Sequence, residues 1–303
     1  MIYTKDTKEH PTPASPSFGR SRTAIMRRFL SILAVLTVGL AVNSVTAQTA
    51  SDVGGGRNVS YTTPARASLP FASGETLTYE AKYNRILQGI PAADLTLSVE
   101  ADPNSNTYAV KGEAVSKGTL LKLFRFSFEQ QFQSWIDRDR FRALKTTKHD
   151  VQRERVRDSE AIFDYGNKRV TFLESDPKEP MKPPRRIASD LDEDTHDILS
   201  GIYALRSMPL EVGKTFNLTV SDSGLVFEIP VRVVAKEKQK TIFGRVNCFR
   251  VEPEVFGPGR MIEQKGSIVI WITDDARRIP VRSQVESSVG RVEIKLKTAK
   301  NLK

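Results

Sequence analysis

Two side-chain groups in this chain have the types and spacing for chemistry. His196, Asp197 and Ser200 lie within five residues of one another. His196 and Ser200 are four apart and would share a helix face, so they raise the idea of a hydrolase triad. No G-x-S-x-G elbow surrounds Ser200, and a mid-helix serine lacks an oxyanion hole. An ordinary helix surface fits these three residues better. Asp190, Asp192 and Asp194 match the first three ligand positions of a calcium-binding loop. Thr195 then stands where glycine is needed, and Gly201 where the bidentate glutamate belongs. A looser calcium site using Glu193, or an acidic helix start that complements the dipole, is what remains of that match.

The other reactive residues are isolated. His149 stands in a polar strand without a partner at metal spacing. The single cysteine, Cys248, lies between Val246 and Phe249 in an apolar run, which fits a buried small hydrophobe. One cysteine excludes an internal disulfide framework, and three histidines argue against a multi-histidine metal cage. We therefore assign no catalytic residue, no metal and no cofactor, and lean against an enzyme.

The elements that position these residues read mainly as strands. Leu77, Tyr79, Ala81 and Tyr83 alternate with Thr76, Thr78, Glu80 and Lys82, the pattern of a half-buried strand. Phe126, Phe128, Gln130, Phe132, Ser134 and Ile136 share one track, with two polar residues on its inner side. Residues 161–165 and 170–173 flank Gly166-Asn167 as a hairpin. Period two returns from Phe216 to Leu296, giving about a dozen strands in all. One segment differs. Ile198, Leu199, Ile202, Tyr203 and Leu205 recur at helical spacing, predicting one helix over about 194–208, capped by Asp194 or Thr195 and stopped by Pro209. A Pro-rich loop, 177–186, precedes it. So many antiparallel strands must hide their edges. The expected fold is a large curved sheet or incomplete β-barrel with the helix packed on or in it, and a two-sheet sandwich is the competitor.

The N-terminal part reads differently. Arg27 and Arg28 precede an uncharged apolar run, Phe29 to Val42, and Val45-Thr46-Ala47 supplies a cleavage site. Residues 26–47 are therefore expected to be a signal peptide cut after Ala47, behind a polar leader over 1–25. Residues 48–69 form a flexible tether and 70–298 a single β-rich domain. The 303-residue chain has 46 basic and 36 acidic residues, a net +10. Residues 1–47 hold six bases and two acids, so the remainder carries 46 − 6 = 40 bases and 36 − 2 = 34 acids, a net +6. Mild basicity on an exported protein points to anionic headgroups or envelope polymers before nucleic acid.

Several motifs resemble one family. They are Phe71-Ala72-Ser73-Gly74-Glu75-Thr76-Leu77-Thr78-Tyr79, Gly89-Ile90-Pro91-Ala92, Asp197-Ile198-Leu199-Ser200 with Tyr203-Ala204-Leu205-Arg206, and Trp271 to Val281. As an ordered set they resemble the exported bacterial domain-of-unknown-function family 3108 (DUF 3108). The resemblance covers roughly 70–298 and implies a β-rich envelope protein with no activity to carry over.

Two surfaces are candidate sites. Phe124, Phe126, Phe128 and Phe132, with Tyr203 on the helix, are expected to line an apolar interior that is either packed or holds an acyl chain. Arg153 and Arg155, in a basic strand with interleaved acids, and Arg206 are candidate charge contacts for lipid headgroups. Arg206 has two readings, a partner from the sheet or a solvated side chain. The function expected is non-catalytic binding of a lipid or other hydrophobic envelope component by an exported protein, in the periplasm or cell envelope, with peripheral membrane contact. The alternative is an assembly factor that binds a protein or polysaccharide. A hydrolase ranks last.

Overall fold

The computed structural model describes residues 69–85, 89–288 and 290–303. The leader, the signal peptide and the tether up to residue 68 lie outside these residues. The described residues form one antiparallel sheet of fourteen strands and two helices. In chain order the first strands are β1 (Glu75–Asn84), β2 (Ile90–Ala101), β3 (Thr107–Ser116), β4 (Phe128–Asp137), β5 (Ala143–Gln152), β6 (Arg155–Asp164), β7 (Arg169–Ser175) and β8 (Arg185–Asp190). They are followed by β9 (Thr215–Asp222), β10 (Leu225–Thr241), β11 (Gly244–Pro253), β12 (Gly266–Thr273), β13 (Pro280–Ser287) and β14 (Gly290–Lys300). Helix α1 (Gly118–Phe124) joins β3 to β4, and α2 (Ile198–Ser207) joins β8 to β9.

The spatial order runs β8 back to β1, then β14 back to β9. The first and last strands therefore pair, with Tyr83 opposite Val292 and Leu77 opposite Ala299. The chain moves from the centre of the sheet to one edge, crosses through α2 to the other edge, and returns to the centre. The two free edges, β8 and β9, are thus neighbours in sequence. The sheet curls until the β9–β10 turn meets β7 and β8, where Val226 joins a small core of Ala143, Ala161, Phe163, Phe172 and Leu191. An incomplete barrel results, and α2 packs inside it against β3, β4 and β9.

The alternation predicted for β1 is present over its whole length, and it places Glu75 on the buried face as well. Three expectations need correction. The N-cap of α2 is Asp197, not Asp194 or Thr195. Its carboxylate accepts from Leu199 N at 2.8 Å and Ser200 N at 3.2 Å, while Ser200 Oγ accepts from Asp197 N at 2.8 Å. Both residues before Asp197 are held by the sheet: His196 bridges to β9, its N donating to Thr219 O and its O accepting from Ser221 N, and Thr195 O accepts from Ala143 N. The 177–186 loop ends in a strand, since β8 starts at Arg185 and pairs with β7. Helix α1 was not expected. It buries Leu120 alone and leaves Leu121 and Leu123 about half exposed, so it has no apolar stripe to read.

Candidate functional site: the space between helix and sheet

Helix α2 has two working faces. Ile198, Ile202 and Leu205 look into an apolar cavity of about 180 Å³, whose other walls include Leu95, Phe132 and Leu218. Tyr203 and Arg206 point away from it, toward Phe71 and the start of β1. A dry apolar cavity of roughly 150 Å³ is already large enough to take up benzene. The wall of this one contains few polar groups. Two of them, the Tyr79 hydroxyl and Gln130 Oε1, are buried without a hydrogen-bond partner.

The predicted aromatic residues are distributed differently from expectation. Phe132 lines the cavity. Phe124 packs edge-on to Tyr83 at 6.0 Å, Phe126 lies 6.0 Å from Phe128, and Tyr203 stands edge-on to Phe71 at 5.0 Å. These four pack against other rings and do not line the cavity, and Phe126, Phe128 and Tyr203 are buried. The aliphatic residues of β2, β9, β10 and α2 make the wall instead. Sequence reading passed over them because aliphatic residues on a strand look alike whether the face opposite is filled or open.

Arg206 is not a surface charge. Its side chain is 1% exposed and forms a fork with Glu75, 2.5 Å from Oε1 and 2.8 Å from Oε2. Its remaining donors reach the backbone oxygens of Arg278, Arg277 and Pro70. The guanidinium also lies 5.1 Å from the Tyr203 ring. Nearly every donor is satisfied, which is the condition for keeping an arginine buried. The signal for its partner was present: Glu75 is in phase with Leu77 and Tyr79, so a carboxylate was due on the inner face.

Arg153 is exposed, in the β5–β6 turn, with its guanidinium 5.7 Å from the Phe126 ring. Arg155 is half-buried and lines a second, polar pocket. Much of the basic stretch is already engaged. Arg138 and Arg142 stack on Tyr108 and Tyr165, Lys145 pairs with Glu160, and Arg157 pairs with Asp176. His149 pairs with Asp158 at 2.5 Å.

The triad-like residues are brought together as a helix cap. The Ser200 hydroxyl donates to Asp197 Oδ2 at 2.7 Å, and Ser134 donates to the same oxygen. Ser134 is one of the two polar residues on the inner track of β4. The other, Gln130, donates to Asp150 at 2.6 Å. His196 is buried, and its Nδ1 has no partner. Asp190, Asp192, Glu193 and Asp194 are exposed, and among the described residues no three metal-binding side chains converge. Cys248 is buried, and burial, helped by Asp275, Asp274 and Glu237, pushes its thiol up to about 11.

His196 has a consequence for stability. Burial lowers its pKa from 6.5 to about 4. Between those values the unfolded chain binds a proton that the folded chain refuses, so stability falls as pH falls through this window. The loss amounts to about 3 kcal/mol by pH 4 and levels off below it. Burial raises the Asp197 carboxyl, an effect of opposite sign, lost as pH rises above 3.8. A His196→Phe variant retains Asp197 and isolates the histidine. Urea unfolding at pH 7 and pH 4.5 should show wild type losing about 2 kcal/mol more than this variant. Equal losses would mean that His196 is protonated in the folded protein.

Comparison with known proteins agrees with this architecture. Residues 78–297 match a family described as "Protein of unknown function (DUF3108)". A search of curated proteins gives no match. Among solved structures, the crystal structure of a β-barrel-like protein of domain of unknown function DUF1849 from Brucella abortus is similar with a TM-score of 0.54. It is 11% identical, and the alignment covers 76% of this chain and 98% of that one. At that identity the likeness concerns the fold.

Proposed function

This chain belongs to the DUF3108 family, and we propose that it is a non-catalytic binding protein whose ligand occupies the apolar cavity between α2 and the curled sheet. The observation that carries this reading is the cavity itself. About 180 Å³ walled largely by Leu, Ile and Val side chains is left unfilled among the buried residues of the core. Protein interiors rarely leave such voids, because the wall loses its dispersion contacts across them. An apolar ligand restores those contacts. The cavity has room for part of an acyl chain or a small ring. The reading takes residues 26–47 as the export signal expected from the sequence, which would set the site of action in the periplasm or cell envelope, where lipids and other apolar components are abundant.

The test is native mass spectrometry of the full chain, expressed with its own leader and purified without detergent, followed by organic extraction. A stoichiometric lipid-class mass supports the reading, and the intact mass reports whether the chain begins at Gln48. A clean protein mass, with no uptake of supplied lipid, overturns it. A variant checks the location. Ala114 is buried and lines the cavity. Ala114→Leu fills part of the space and should reduce ligand uptake at least tenfold, with the urea midpoint moved by less than the equivalent of about 2 kcal/mol. Unchanged uptake would place the ligand elsewhere.

A further inference from the structure

We propose that this ligand is an amphiphile with a compact, uncharged head group, and that the head group sits in the polar pocket adjoining the apolar cavity. The inference rests on the reading of the apolar cavity given above. The second pocket, of about 40 Å³, lies between the inner faces of β4–β7 and the β9–β10 turn. Phe132 lines both spaces. Gln130 stands at their junction. Its amide nitrogen donates to Asp150, a wall of the polar pocket, while its own Oε1 is buried with no donor. A ligand hydroxyl or amide at this point would supply the missing donor.

The charges around the pocket set the head-group class. Asp150 is occupied by the amides of Gln130 and Gln152, Arg157 by Asp176, and Asp197 by the helix cap. That leaves Lys148, Arg155, Glu174 and Asp222, which also line the pocket and are half-buried. Among the described residues Lys148, Arg155 and Glu174 make no side-chain hydrogen bond or ion pair, and Asp222 only accepts from Ser223 at 3.4 Å. Two free cations thus face two free anions. A ligand carboxylate would meet Asp222 and Glu174, and a ligand ammonium would meet Lys148 and Arg155. Either would be a desolvated charge with a like charge beside it. A hydroxyl-bearing head avoids that cost, since it donates to the carboxylates and accepts from the bases. The small volume admits only about three non-hydrogen groups of water size, which favours a short diol or amide over a sugar ring. The electrostatics are consistent with this. Burial lowers the Lys148 pKa despite nearby Asp150, Asp222 and Glu174, and burial raises that of Asp222 despite Lys148. Lys148 and Asp222 thus lie in each other's field, with burial the larger influence on both.

The experiment compares 1-decanoylglycerol, decanoate and decylamine, with toluene as a probe that has no head group. Binding to the full chain is measured by calorimetry at pH 7. The glycerol ester should bind at least tenfold more tightly than either charged amphiphile. Lys148→Met should raise the ratio of decylamine to decanoate affinity at least tenfold, and Asp222→Asn should lower it by a similar factor. Both variants should keep toluene binding. A decanoate or decylamine affinity equal to that of the ester overturns the head-group inference, as does a ratio that neither substitution moves. Toluene binding that persists in that case leaves the apolar-cavity reading standing. Failure of toluene and of all three amphiphiles removes both.

Discussion

Arg206→Met will destabilise the protein by about 3–5 kcal/mol, because it leaves Glu75 as an unpaired charge with no access to water. Glu75→Gln will cost a comparable amount for the reverse reason, since the buried guanidinium loses its counter-charge and one arm of the fork, keeping an amide oxygen and its three backbone acceptors. The double variant Glu75→Gln/Arg206→Met will cost clearly less than the sum of the two single changes. Each single change strands a charge, whereas the double change strands none. Denaturant unfolding of the four proteins measures this coupling. Single-variant losses below about 1 kcal/mol would be those of a solvated surface pair and would contradict the burial. The pair also matters for the cavity. Arg206 ties the last turn of α2 to the start of β1 and to the β12–β13 connection. Loosening it frees one end of the helix that forms the cavity wall, so ligand uptake should weaken in the single variants even under conditions where they remain folded.

Gly224→Ala carries the second large effect. Ser223 and Gly224 both have positive φ, 51° and 82°, as a two-residue hairpin turn of the I′ kind requires. A Cβ on Gly224 would stand 2.6 Å from Phe172 Cβ and 3.1 Å from Ile187 Cβ. Those atoms are the roots of their side chains, and no rotamer change moves them. The backbone of β7 and β8 would have to retreat from the turn. Left-handed strain of about 1–2 kcal/mol adds to overpacking of about 1–3 kcal/mol, for an expected loss of about 2–5 kcal/mol. Gly244→Ala is the control. Its φ is +87°, but nothing lies within 4 Å of the added carbon, so only the conformational part remains. Thermal or urea unfolding should rank the Gly224 variant well below the Gly244 variant. Equal losses would mean that the β9–β10 turn does not press on β7 and β8, and that the barrel is more open than described.

The two sites also show what could be read in advance. Alternation in β1 and the helical recurrence from Ile198 to Leu205 were legible because each depends on neighbours two to four residues away. The same local logic placed Gln130 and Ser134 on an inner track, where buried polar groups need partners. It did not name those partners. Asp150 is 20 residues from Gln130, Asp197 is 63 from Ser134, and Glu75 is 131 from Arg206. Arg206 itself was open to two readings because one helical turn shows which way a side chain points and not what it meets. Helix α1 and strand β8 were missed for a related reason. Each is short and largely exposed, so burial leaves little periodic trace in its residues.

By itself, then, the sequence determined the class of fold, the buried face of strongly alternating strands such as β1, the single long helical segment, and the resemblance to a β-rich family, since all of these follow from side-chain periodicity and ordered motifs. Tertiary structure decided the closure. The pairing of β1 with β14, the turn of β9–β10 pressed against β7 and β8, and the helix held inside the curl bring distant residues together. The cavity exists only because of that curvature. Strand twist and the distance between opposed faces determine whether aliphatic side chains touch or leave a space, and neither quantity is written in any local pattern of residues.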